Sequence, residues 1–144
     1  MIAVDTNILV YAHRRDLPRH DVARDAVTGL ALGRRRWAIP WPCVHEFVAI
    51  VSNPRIFRQP TPAARAVHQV RGWLDAPLAT TLAEDERYLE VLAELIETSQ
   101  VAGGKVHDAR IAALCLHHAV DELWSADRDF SRFPTLRTVN PLIG

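Results

Sequence analysis

The 144-residue chain is poor in cysteine, has a single methionine, and carries no net charge. Cys43 and Cys115 are too few for a disulfide framework, and they read as reduced core thiols of a cytoplasmic protein. Seventeen basic residues balance seventeen acidic ones, which removes the strongly basic class of nucleic-acid binders; any such contact must come from a local patch. Lys105 is the only lysine, so positive charge here is almost entirely guanidinium. No apolar run approaches the length of a membrane span. The N-terminus lacks a basic leader segment, and its apolar stretch is broken by Asp5 and Asn7, which argues against a signal peptide. Linkers, internal repeats and low-complexity segments are not seen. With 49% hydrophobic and 24% charged residues, the composition is that of an ordinary globular chain, and residues 1–144 form one domain with one core.

Periodicity supplies the architecture. Ile2 to Asp5 suits a short buried strand, with Asp5, Thr6 or Asn7 capping a helix that carries Ile8, Leu9 and Ala12. Val22, Ala23, Ala26, Val27 and Leu30 recur at helical spacing up to Gly33, and Arg34, Arg35 and Arg36 follow at that helix's C-terminus. "WAIPW" reads as a strand and "CVHEFVAIVSN" as a helix stopped at Asn53-Pro54. Thr61 is the expected N-cap of a helix with Pro62 at its first position. A strand is expected over Leu78 to Thr81. "AEDERYLEVLAELIETSQ" is then the strongest helix signal, with Leu89, Leu92, Leu95 and Ile96 as its buried stripe. Gly103 and Gly104 interrupt before the helix "HDARIAALCLHHA", which has Asp108 in its first turn. "ELWS" and "LRTV" complete the strands, with "ADRDF" a turn into a short helix between them. Strands alternating with helices predict an α/β fold: a three-layer α/β/α sandwich with a mostly parallel central sheet.

Ligands of such folds gather beyond the carboxyl ends of the strands, where Asp5 and Asp127 are both expected. Glu46 and Asp108 lie in strongly apolar helices, and an acid near a buried face needs a partner. Each acid alone has a structural explanation as a cap, a turn residue or a solvated helix position. Drawn together, four carboxylates would repel one another unless a cation sat among them. Oxygen ligands suit Mg²⁺ or Mn²⁺ better than Zn²⁺, and such a site suits phosphodiester hydrolysis. His45-Glu46 is not a zinc-protease helix, since Ala49 stands where the second histidine is required. The Cys43-Val44-His45 and Cys115-Leu116-His117 triplets place their ligands on different sides of a helix, so neither chelates well. The four tryptophans read as core or interface residues more readily than as base-stacking platforms.

"VDTNILVYA", the acid of the "HEF" helix, "HDARIAA" and "WSADRDF" together resemble, in order and over the whole chain, PIN-domain ribonucleases of the VapC toxin type. The resemblance implies a metal-binding and catalytic pocket of Asp5, Glu46, Asp108 and Asp127, supported by Asn7 and Ser125, with Asp129 an additional acid acting through water. It also implies a Mg²⁺-dependent (or Mn²⁺-dependent) endoribonuclease that cuts single-stranded or looped RNA. Such a protein forms a homodimer and is held inactive by a cognate antitoxin. Arg34, Arg35, Arg36 and Lys105 are the candidate contacts for RNA or antitoxin; Lys105 and His107 flank Asp108 and have ordinary readings as a solvated lysine and a capping histidine. The rival function is a catalytically silent PIN-like binding module acting through a protein partner. Aspartyl-nucleophile phosphatases need a second acid where Asn7 stands, and phospho-receiver domains need a lysine on a late strand, which Lys105 does not occupy.

Overall fold

The computed structural model describes residues 1–143. Its five strands are β1 (Ile2–Val4), β2 (Trp37–Pro40), β3 (Ala79–Leu82), β4 (Glu122–Trp124) and β5 (Thr138–Val139). They form one sheet in the order β3-β2-β1-β4-β5, and every pairing is parallel. Parallel neighbours require crossover connections, which six helices provide: α1 (Thr6–His13), α2 (His20–Leu32), α3 (Trp41–Val51), α4 (Ala63–Leu74), α5 (Tyr88–Ser99) and α6 (Val106–His117). The expected α/β sandwich is therefore present, with a sheet that is wholly parallel. The central strands carry almost uninterrupted apolar residues; Ala3, Val4, Trp37, Ala38, Ile39 and Leu123 are completely buried, as a sheet covered on both faces requires. No helix is long and apolar enough to cross a membrane among the described residues.

The strand order reverses at β1, because the chain builds β2 and β3 to one side and then returns to lay β4 on the other. Such a switch point leaves a crevice between the carboxyl ends of two neighbouring strands. Here those strands are β1 and β4, and their ladder runs one step past β1, with Asp5 N–H donating to Trp124 C=O at 2.9 Å. The β4–β5 ladder extends in the same way, Ser125 N–H donating to Val139 C=O at 2.9 Å. Asp5 and Ser125 thus leave the sheet side by side on rigid backbone.

Three expectations shift. Helix α4 begins at Ala63 with no side-chain cap, because the Thr61 hydroxyl is engaged elsewhere: it meets His13 Nε2 at 3.0 Å and Arg14 Nη1 at 3.2 Å. Helix α5 begins at Tyr88, five residues later than the acids before it suggest. Leu82 still belongs to β3, and Asp85 Oδ1 accepts from Arg87 N–H at 2.9 Å, which forms a turn in place of helix. The neighbouring Glu84 pairs with Arg110 at 2.9 Å and Asp85 with His117 at 2.9 Å, so these acids clamp α6. Finally, Leu89 and Val22 face solvent, 64% and 49% exposed. Tyr88 and Leu95 are the buried residues of α5.

Candidate active site

Asp5 is the N-cap of α1, as its position before the helix allows, and it is only 4% exposed. Its carboxylate is held from four directions. Oδ1 accepts from Thr6 N–H at 2.8 Å and from the Cys43 thiol at 3.6 Å. Oδ2 accepts from the Ser125 hydroxyl at 2.6 Å and from the Asn7 amide at 3.3 Å. Burial nevertheless outweighs these donors, and the carboxyl pKa is pushed up to about 6 because desolvation penalises the charged form.

Asn7 ties the two strand ends together. Its Oδ1 accepts from Ala126 N–H at 3.1 Å while its amide also donates to Ser125 Oγ at 3.3 Å. Ser125 Oγ in turn accepts from Asp127 N–H at 3.0 Å, which sets the direction of the chain after β4. Asp127 then caps a short 3-10 turn (Arg128–Arg132), with its Oδ1 accepting from Asp129 N–H at 2.8 Å. The aspartates at 127 and 129 are consequently held by the same turn.

On the far side, Glu46 projects from α3 and accepts from the Thr6 hydroxyl at 2.7 Å. Asp108 sits in the first turn of α6. A 3-10 turn (Gly103–Lys105) delivers it; Gly103 there has φ of 59°, a left-handed conformation that glycine adopts without steric cost. One carboxylate oxygen each from Asp108, Asp127 and Asp129 lies within 4.8 Å of the others. Partial burial, followed by the charge of Asp127, raises the Asp108 pKa, and Lys105 opposes that rise. Glu46 presses in the same direction on both Asp5 and Asp108, so the five acids share one electrostatic neighbourhood. The single ammonium of Lys105 pairs with Asp129 and holds that carboxyl below its usual range.

The structure therefore brings together Asp5, Glu46, Asp108, Asp127, Asn7 and Ser125, together with Lys105. Asp129, expected as an additional acid acting through water, is one of the three whose oxygens converge, whereas Asp5 lies deeper and is reached through Ser125. His107 is exposed. Arg34, Arg35 and Arg36 lie before β2, at the opposite end of the strands, where Arg35 approaches Asp121 at 3.7 Å.

Two contributors escaped sequence reasoning, Thr6 and Cys43. Cys43 precedes Glu46 by three residues on α3, a spacing that puts both on one helix face; that was the available signal. Neither Cys-x-His triplet assembles a metal site: His45 leans on Trp41 with ring centroids 6.3 Å apart, and both thiols are buried. Among the described residues the three aspartates are the only His, Cys, Asp or Glu group whose ligand atoms converge. These hard oxygen donors, half-buried and facing each other with one lysine for compensation, fit a divalent cation of the Mg²⁺ or Mn²⁺ type.

The chain is similar to known proteins of one family. Residues 2–136 match the family model of the PIN domain. The chain is 37% identical over 144 residues to VapC ribonuclease Mb2897 of Mycobacterium bovis, covering 100% of this chain and 97% of that one. It is 30% identical over 142 residues to ribonuclease VapC33 of Mycobacterium tuberculosis, covering 99% of each. Among solved structures, VapBC2 from Rickettsia felis, bound to a fragment of promoter DNA, superposes with a TM-score of 0.70 at 21% identity over 97% of this chain and 98% of that one. The Sarcin-Ricin loop cleaving toxin VapC20 of M. tuberculosis gives 0.65 at 17% identity, covering 91% and 93%.

Proposed function

The chain belongs to the PIN-domain family of VapC ribonucleases, and from that membership we propose that it is a Mg²⁺-dependent endoribonuclease, the toxin of a toxin-antitoxin pair. The observation that carries this reading is the convergence of Asp108, Asp127 and Asp129 oxygens at the β1/β4 switch point, beside Asp5 and Glu46. These five acids would hold the cation, with Mn²⁺ an acceptable substitute. A cation there supplies Lewis acidity for a phosphoryl oxygen and makes water a stronger nucleophile at neutral pH.

The chain's own residues set the stage for hydrolysis of an RNA phosphodiester. Thr6 N–H, Cys43, Ser125 and Asn7 fix the Asp5 carboxylate from four sides, and Thr6 Oγ fixes Glu46. Preorganised ligands of this kind need no rearrangement when charge develops on the scissile group. Lys105, half-exposed at the rim, supplies positive charge where a phosphate would approach. The substrate is single-stranded or looped RNA in the cytoplasm, the active form is a homodimer, and the cognate antitoxin is the regulatory partner; the VapBC complex among the structural neighbours supports that pairing.

Cleavage of a randomised RNA in Mg²⁺ and in chelator tests the proposal. Cleavage should require the cation and disappear in a folded Asp127→Asn variant. A protein that binds Mg²⁺ and RNA without cutting, or cuts equally well in chelator, would overturn it in favour of a silent binding module or of metal-free chemistry.

A further inference from the structure

A cavity of about 750 Å³ opens directly beside the acids and shares Ser125 and Asp127 with them. That size lies within the range of small-ligand sites. We propose that this cavity is a nucleotide subsite, receiving the residue next to the cleaved phosphodiester and giving the enzyme its sequence preference; the inference rests on the RNA-cleaving reading above. Continuity with the acids is the first argument: a chain lying across Asp127 has its neighbouring unit over this opening.

Charge is the second argument. Arg19 and Arg128 both line the cavity, and the exposed Arg128 guanidinium makes no hydrogen bond or ion pair among the described residues. Arg19 uses one Nη1 bond, to the Leu142 carbonyl at 3.2 Å, leaving its other donors for a phosphate. Two guanidiniums bordering a wall of acids suit a polyanion whose cleaved phosphate is neutralised by a cation and whose next phosphate is not.

The third argument is the lining. Tyr11 offers a ring against which a base can stack, and Asn140 has its Oδ1 occupied by Leu142 N–H at 3.0 Å, which leaves its amide protons as donors. The Thr138 hydroxyl in the same wall is buried and has no hydrogen-bond partner among the described residues. Phe130, Phe133, Pro134, Leu136, Leu142 and Ile143 complete the lining, an apolar wall for the face of a base, with the amide and the flanking cations left for its edge and its phosphate.

Two variants test the subsite without altering the acids: Ser131→Trp, an exposed lining position that would plug the opening, and Arg128→Ala. Parent and variants are compared by mapping RNA ends after partial cleavage of a randomised pool. Binding of a short oligoribonucleotide in chelator is measured in parallel by fluorescence anisotropy over a salt series. The parent should show a base preference at a position flanking the cut, which both variants flatten. Arg128→Ala should also lower the log–log salt slope by about 1, the loss of one phosphate contact. Preference and slope unchanged in both variants would overturn the subsite and leave the cavity to a protein segment. If the parent binds RNA but does not cut it, the ribonuclease reading fails, while a lowered slope in Arg128→Ala would still support the subsite.

Discussion

The two ends of the sheet carry similar numbers of charged groups and treat them in opposite ways. At the amino ends of the strands, opposite charges meet on the surface. The N-terminal ammonium and Arg35 both face Asp121, and Arg35 and Arg137 flank Glu122 at 4.0 and 3.7 Å. The amine holds the Asp121 pKa below its usual value. At the carboxyl ends, acids face acids: the pKa values of Asp5 and Asp108 are raised, and Lys105 is the one cation ion-paired with these acids among the described residues. A surface that pairs its charges needs nothing further, whereas one that concentrates a single sign against burial calls for a cation from outside. That contrast separates charges that are paired on the surface from charges that are left for chemistry on one scaffold.

The largest expected effect breaks the contrast at its functional end. Asp127→Asn or Asp108→Asn, checked for folding by circular dichroism, should lower Mg²⁺-dependent cleavage by on the order of 10²-fold or more, as loss of a group stabilising developing charge typically does. Arg35→Ala, at the other end, should leave the rate at the parent value. Equal losses at both ends would erase the distinction.

Stability should respond next, with a sign that depends on pH. Because the Asp5 pKa is raised from 3.8 to about 6, folding takes up a proton between those values. The stabilisation from that proton is complete below about pH 4 and lost as pH rises through 6. Measured by denaturant titration in chelator, Asp5→Asn should therefore match the parent near pH 3.5. Near pH 7.5 it should exceed the parent by on the order of 2–3 kcal/mol. Asp121→Asn should leave the midpoint almost unmoved, since exposed ion pairs contribute little. A gap for Asp5→Asn that persists undiminished in acid would contradict the assignment of burial as the cause.

Lys105→Ala should tighten Mn²⁺ binding several-fold by calorimetry, because the ammonium competes with a cation for Asp129; weaker binding would show that the lysine organises the site instead. The smallest effect concerns the basic triplet. Reversing Arg34 and Arg36 should leave the salt slope of RNA binding unchanged, given their place at the far end of the strands, and a lowered slope there would show that RNA wraps the whole domain.

Much of this was legible in the chain. The helices at α1, α2, α3 and α6 follow from 3.6-residue apolar spacing, and buried strands of a two-sided sheet appear as short apolar runs. The start of α5 is not legible there, because its preceding acids look like first-turn residues yet bond across to Arg110 and His117, which no local pattern reveals. Leu89 fits a core stripe by spacing alone for the same reason: with the helix starting at Tyr88, Tyr88 and Leu95 define the buried side.

The site divides along the same line. By itself the sequence determined which carboxylates exist, that Asp5 ends a strand, and that Asn7 and Ser125 could support it, because those are properties of local spacing and residue chemistry. Tertiary structure alone decided that Asp129 converges with Asp108 and Asp127, that Cys43 and Thr6 reach Asp5 and Glu46, and that Lys105 joins the acids while Arg34, Arg35 and Arg36 do not. These are contacts between segments tens of residues apart, fixed by which strands lie side by side at the switch point, and chain spacing carries no information about that adjacency until the sheet has formed.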